Sequence, residues 1–328
     1  MTEARTRRIT LDTIREAAVT IADVTRRTPL IPLDPGQSSG PQAKIFLKLE
    51  TLQPIGSFKI RGAYNSVRGL TQDELGRGVW TVSAGNAAQG VAFAARSIGA
   101  ACTVLVIDTA PQTKISAIER LGARVVKASY DDCWRTVEHH LDRLPGYLVH
   151  PFDDDRFISG NGTVGLEVLD DLPNVDAIVA SVGGGGLLAG LATAVRALRP
   201  DTRIYAAEPE TAAPLARSLE RGTASRFDEW QASFVDGCGG QSVTPTMWPL
   251  LRDLVDESIV VTLDEIKAAM RLVADRTHVI TEGAAACAVA AALSGRVGTG
   301  NIAVIVSGGN IDLSTFADLV SSQSTTTQ

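Results

Sequence analysis

The sequence predicts an α/β protein made of two open, mainly parallel sheet domains. Short apolar runs alternate with stretches of helical periodicity along most of the chain. Those runs are continuous, without in-and-out alternation, as expected of strands covered on both faces. At 328 residues the chain is also too long for one simple core.

The elements follow in order. Leu11, Ile14, Ala18 and Ile21 fall at helical spacing, which predicts an amphipathic helix ended by the Arg26-Arg27 pair and the Thr28-Pro29 step. A Pro-, Gly- and Ser-rich loop is expected over 32–41 and a strand over 45–49. A strand at 79–82 feeds a helix from Asn86. Another at 103–107 feeds a helix with Pro111 in its first turn and Gly122 just past its end. Strands at 125–126, 147–149, 178–182 and 204–207 continue the series. Thr262-Leu263-Asp264-Glu265 reads as a capping box opening a helix to about Val273, and the last strand is 302–306. No repeat of fixed period is present. The expected division is a small domain over 64–152 inserted in a larger one formed by 1–63 and 153–320, with a polar, frayed tail over 321–328.

Composition narrows the function classes. A hydrophobic share of 45% excludes a disordered chain, and 31 Lys+Arg against 37 Asp+Glu argues against a nucleic-acid surface. A small-molecule partner is expected. Cys102, Cys133, Cys238 and Cys287 are scattered, with no His at a metal-ligand spacing, so they read as buried thiols in a reducing cytoplasm; no metal site is expected. The first ten residues lack an apolar run, so no signal peptide is expected. The uncharged run 177–195 reaches membrane length, yet four glycines interrupt it, and it reads as strand, turn and helix. His139 and His140 sit on a charged stretch and are expected to be exposed. His150 and His278 have no partner at triad spacing.

Four turns at strand ends, where open sheets collect ligands, carry the chemistry. In Gly56-Ser57-Phe58-Lys59-Ile60-Arg61-Gly62 a lysine lies between two apolar residues and two glycines. Desolvation there would favour a neutral amine able to form an imine, although a surface lysine on a turn has the same spacing. Ser83-Ala84-Gly85-Asn86 opens a helix, where free N–H groups suit a carboxylate; a simple N-cap is the plain alternative. Gly183-Gly184-Gly185-Gly186 lies between a strand and a helix from about Leu187. It matches neither the dinucleotide fingerprint nor the nucleotide-triphosphate loop, and it favours a phosphate cradle over a plain turn. Ser307-Gly308-Gly309-Asn310 follows the last strand, and Ser307 could face a ligand ring nitrogen or serve as a turn hydroxyl. An imine-forming lysine, a phosphate cradle, an anion-binding turn and a strand-end hydroxyl together specify a pyridoxal phosphate site.

From Thr28-Pro29-Leu30 to Ser307-Gly308-Gly309-Asn310 the chain resembles the serine/threonine dehydratase family of fold-type II pyridoxal phosphate enzymes, with the tryptophan-synthase-β-like architecture. The stretches Ser57–Ala63 and Gly183–Leu187 carry most of that resemblance. It implies that Lys59 carries the cofactor, that Phe58 lies beside the pyridine ring, and that Asn86 bonds the 3′ oxygen. It likewise implies that Gly183, Gly184, Gly185, Gly186 and Leu187 hold the phosphate, that Ser307 faces the pyridine nitrogen, and that Ser83, Ala84, Gly85, Asn86 and Ala87 bind the substrate carboxylate. The expected reaction turns a β-hydroxy amino acid, threonine or serine first, into a 2-oxo acid and ammonia, in a cytoplasmic homodimer with the cofactor in an interdomain cleft.

Departures from the family pattern keep alternatives open. Ala87 stands where many members have His, which admits phenylserine, hydroxyaspartate or an ectoine-pathway hydroxy acid as substrate. Ala84 replaces the serine that donates the opposite-face proton in the related racemases, which disfavours an amino acid racemase. A non-catalytic cofactor-binding protein is the third reading, opposed by the intact Lys59. Some members bind a divalent cation through a Glu and an Asp six residues on; Glu208 matches the first, but Pro214 stands in place of the second. The chain after the last motif is too short for the regulatory domain of biosynthetic members, so feedback by isoleucine is not expected. Asp236-Gly237 and Glu282-Gly283 resemble active-site neighbours of the family, or serve as a turn acid and a helix N-terminal acid.

Overall fold

The structure is a computed structural model describing residues 7–36 and 43–321. The later part of the expected 32–41 loop, most of the tail and the first six residues lie outside the described residues. The strands are β1 (Leu30–Leu33), β2 (Lys44–Leu49), β3 (Val79–Val82), β4 (Cys102–Ile107), β5 (Arg124–Ala128), β6 (Tyr147–Leu148), β7 (Ala177–Ser181), β8 (Arg203–Pro209), β9 (Glu257–Val261) and β10 (Asn301–Val306). The helices are α1 (Leu11–Ile21), α2 (Lys59–Arg68), α3 (Gln72–Gly76), α4 (Asn86–Ile98), α5 (Gln112–Arg120), α6 (Tyr130–Glu138), α7 (Asp155–Asp171), α8 (Gly186–Leu198), α9 (Pro214–Arg221), α10 (Trp248–Leu254), α11 (Leu263–Thr277), α12 (Gly283–Leu293) and α13 (Leu313–Ser321).

The chain divides into two compact units. The first comprises Met1–Arg26, Gln53–Leu166 and Gly184–Ala197; the second comprises Arg27–Leu52, Glu167–Gly183 and Leu198–Gln328. The segment 64–152 lies wholly inside the first unit, which also takes in the N-terminal helix, α2 and α8. A four-stranded, wholly parallel sheet of order β5-β4-β3-β6 forms the centre of the first unit. Its core gathers Val79, Val91, Val104, Ile115 and Ile118 from the sheet and the covering helices.

The second unit holds a six-stranded sheet of order β1-β2-β10-β7-β8-β9, parallel except where β1 meets β2. Its core surrounds α12, whose sequence Gly-Ala-Ala-Ala-Cys-Ala-Val-Ala-Ala-Ala-Leu is apolar on every side and almost entirely buried. Lys48 on β2 is fully buried and pairs with Glu167 at 2.6 Å, while its Nζ also donates to the Thr28 carbonyl at 2.6 Å.

Three elements differ from the sequence expectation. β1 occupies the start of the expected loop, because Pro32 on an edge strand costs no ladder bond. β9 was not expected; its opening Glu257-Ser258 disguises an edge strand. α11 runs past Val273 to Thr277 and is closed by His278, which takes the left-handed conformation with φ 59° in place of glycine. The Thr262 capping box is present in full, and all four cysteines are free and buried. No helix among the described residues is long and apolar enough to cross a membrane.

Candidate active site

In the first unit, Lys59 is the first residue of α2 and follows the buried Phe58. Its ammonium nitrogen lies 5.2 Å from the centre of the Phe58 ring and 5.3 Å from that of Phe157, and donates to the Pro151 carbonyl at 2.8 Å. Two aromatic rings and one carbonyl thus line the half-buried amine. Ser57, two residues earlier, is fully buried, and its hydroxyl has no hydrogen-bond partner among the described residues.

The glycine loop meets the same turn. A Cβ on Gly184 would lie 2.1 Å from Cγ of Phe152, and one on Gly186 would lie 2.6 Å from the Phe152 carbonyl oxygen. Only glycine lets this backbone approach the ring so closely. The loop opens α8, whose first N–H groups have no partner inside the helix and favour an anion. The chain passes from the second unit to the first between Gly183 and Gly184.

The Ser83–Ala87 turn opens α4 from the end of β3. The Ser83 hydroxyl accepts from the Gly85 N–H at 3.0 Å, a local turn that leaves no side-chain cap on the helix. A Cβ on Gly90 would be 3.1 Å from the Lys59 carbonyl oxygen, so α4 packs tightly against α2 and holds this turn near Lys59. Ala84 offers only a methyl group, and Ala87 is buried.

In the second unit, Ser307 follows β10 and is buried, while the Gly308 carbonyl accepts from the Glu282 N–H at 3.1 Å. Gly183 at the end of β7 abuts the Gly237 carbonyl, with a Cβ there only 3.0 Å away. Gly237 in turn abuts Ala284, and the Ser181 hydroxyl donates to the Ala284 carbonyl. The Asp236-Gly237 and Glu282-Gly283 pairs, far apart in sequence, therefore converge on the ends of β7 and β10. Glu282 stands at the N-cap position just before α12 without capping it through its side chain.

Glu208 has a different role from that of a metal ligand. Its carboxylate accepts from the Leu215 and Ala216 N–H groups at 2.8 and 2.7 Å and from the Ser258 hydroxyl at 2.6 Å. Pro214 at the first position of α9 has no N–H, so Glu208 serves the next two donors. Burial pushes this carboxyl up to about 7 against those three hydrogen bonds. Among the described residues, no group of three His, Cys, Asp or Glu could hold a metal ion.

Sequence reasoning missed the 150–153 turn and Phe157. It also misplaced His140, which is not an exposed histidine on a charged stretch: it is half-buried, stacked on His150 and bonded to Asp153 at 2.9 Å. The Pro151-Phe152 pair, separated from the end of β6 by two residues, was the available signal.

A family profile described as pyridoxal-phosphate dependent enzyme matches residues 21–308. The chain is 38% identical over 308 residues to an L-threonine ammonia-lyase of Thermotoga maritima, covering 93% of this chain and 76% of that one. It is 38% identical over 321 residues to a catabolic L-threonine dehydratase of Staphylococcus aureus, covering 95% and 92%. Its fold matches the crystal structure of a serine racemase from Dictyostelium discoideum with a TM-score of 0.81 at 35% identity, covering 93% and 99%.

Proposed function

Because this chain belongs to the pyridoxal-phosphate dependent enzymes, in their serine/threonine dehydratase family, we propose that it is a lyase converting threonine or serine to the corresponding 2-oxo acid and ammonia. The observation that carries this reading is the Lys59 amine, held between two aromatic rings and the Pro151 carbonyl in the same unit as the Gly184–Gly186 stretch. The residues present fit the cofactor. The Gly184 cradle is closed by Phe152 to anything but a bare backbone, and the buried Ser57 hydroxyl is a donor with no acceptor among the described residues.

Lys59 would carry the cofactor, Phe58 would lie beside its ring, and Asn86 would bond its 3′ oxygen. The N–H groups of Gly183 to Leu187 would hold the phosphate, Ser307 would face the ring nitrogen, and the Ser83–Ala87 turn would bind the substrate carboxylate. Pyridoxal phosphate, when bound, supplies an electron sink that acidifies the α-proton of an attached amino acid. Lys59, whose amine donates to the Pro151 carbonyl, would be the base that takes that proton, and either Lys59 or the phosphate would supply the proton with which the β-hydroxyl leaves as water. A neutral hydroxyl at Ser307 would limit protonation of the ring nitrogen, which would favour elimination over transamination. Ala84 has no proton to deliver from the opposite face, which weighs against the racemase reading suggested by the Dictyostelium relative.

Four buried free thiols support a reducing, cytoplasmic setting, and the family habit supports a homodimer. The test is the absorption spectrum of the purified protein with pyridoxal phosphate, followed by assay of 2-oxo acid from a panel of β-hydroxy amino acids. The expected result is a visible band lost in Lys59→Ala and 2-oxo acid formed from threonine or serine. Product from phenylserine or hydroxyaspartate alone would move the substrate. Formation of only the mirror-image amino acid, or cofactor binding without turnover, would overturn the lyase reading.

A further inference from the structure

We propose that His150 is a positioning residue for Lys59: its imidazole fixes the 150–153 turn, whose Pro151 carbonyl holds the lysine amine while its Phe152 ring floors the glycine loop. The proposal rests on the reading of Lys59 as the cofactor-bearing lysine.

The partners of the ring define its state. Nε2 lies 2.9 Å from the Val137 carbonyl, which can only accept, so Nε2 carries the hydrogen. Nδ1 accepts from the Asp153 N–H at 2.8 Å and the Phe152 N–H at 3.4 Å, so it carries none. The imidazole is therefore neutral, and it bolts the end of α6 to both amides that follow Pro151. Proline has no N–H of its own, so the direction of the Pro151 carbonyl depends on those two anchored amides.

The ring is 3% exposed, stacks on His140 with centres 4.3 Å apart, and receives the Phe152 ring edge-on at 4.7 Å. The charged or titratable groups facing it are His140, Asp153 and Lys59. Asp153 is itself held by His140 and by Arg7 from the N-terminal segment. One turn thus serves two ends of the proposed site. Lys59 is 2.8 Å from its carbonyl, and Gly184 and Gly186 are packed on the residue that follows.

The test compares three variants of the holoenzyme. His150→Asn places a carboxamide oxygen where Nδ1 accepts; His150→Gln reaches toward Val137 but leaves the Phe152 and Asp153 amides unpaired; His150→Leu keeps volume alone. The readouts are the pH titration of the visible cofactor band, the pyridoxal phosphate dissociation constant, and kcat and KM for the substrate found above. In His150→Gln and His150→Leu the band titration is expected to shift, the cofactor to bind about tenfold more weakly, and kcat to fall roughly 100-fold with little change in KM. His150→Asn should restore the band titration and most of kcat. The proposal is overturned if His150→Leu titrates and turns over like the parent, or if His150→Asn, folded by its melting curve, is no better than His150→Gln. Should His150→Leu not fold, the Asn and Gln pair decides. Borohydride trapping followed by peptide mass spectrometry separates the two readings, because cofactor fixed to a lysine other than Lys59 sinks the proposed site itself.

Discussion

A Cβ atom added to Gly184 would fall 2.1 Å from Cγ of Phe152, inside the ring's van der Waals surface. The loop is therefore moulded on an aromatic side chain contributed by the turn that also touches Lys59. Gly184→Ala should destabilise the protein by about 1–3 kcal/mol through overpacking and weaken pyridoxal phosphate binding. Adding Phe152→Ala to it should recover part of the stability. Melting curves and cofactor titration of the single and double variants check this; equal behaviour of the two would show that the ring is not what excludes the methyl.

The pH dependence of stability should carry a signature of His150. Burial, reinforced by His140, pushes its pKa from 6.5 down to about 4. A histidine kept neutral in the folded state contributes stability that is present above 6.5 and is lost as pH falls toward 4. The shift corresponds to about 3 kcal/mol. Urea unfolding from pH 7.5 to 4 should show a shallower loss in His150→Asn than in the parent, and an unchanged slope would contradict the neutral assignment.

Glu208 should act with the opposite sign. Its carboxyl is raised from 4.5 to about 7 by burial, so the native state keeps a proton that the unfolded chain has released. That contribution is complete below about 4.5 and disappears as pH rises toward 7. Glu208→Gln has no proton to lose and should flatten stability in that window. It should also cost about 1–3 kcal/mol, since its amide group would face a backbone N–H of α9. The same urea series measures both effects.

Removing one partner of the buried pair on β2 should be costly. Lys48→Met removes the fully buried cation from Glu167, while Asp171 keeps Arg27 at 2.6 Å, and the expected loss is about 3–5 kcal/mol. Denaturant midpoints decide this; a neutral result would mean that the carboxylates find water or take up protons.

The sequence made the alternation of strands and helices legible, because continuous apolar runs, Pro111, Gly122 and the Thr262 capping box are local signals. It did not reveal β1 or β9, since an edge strand tolerates Pro32 and a charged start such as Glu257 that a central strand would reject. The four glycine- and serine-rich turns could be read because their residue types constrain the backbone. The support beneath Lys59 could not. His150 and Phe152 act through backbone amides and ring packing that no spacing rule encodes, and His140 looked exposed because its chain neighbours are charged. Similarly, nothing local announces that Gly237 packs on Ala284.

The alanine-rich helix Gly283–Leu293 has a consequence for how this chain can diverge. It packs against β7, β8, β10 and α11, with small side chains on every face. Each added methyl there must be absorbed by the packed core around it, while an added methyl on an outward face such as that of Val19 meets solvent. Random mutagenesis should therefore find α12 nearly intolerant of enlargement, and volume rather than polarity should set the limit on which residues it accepts.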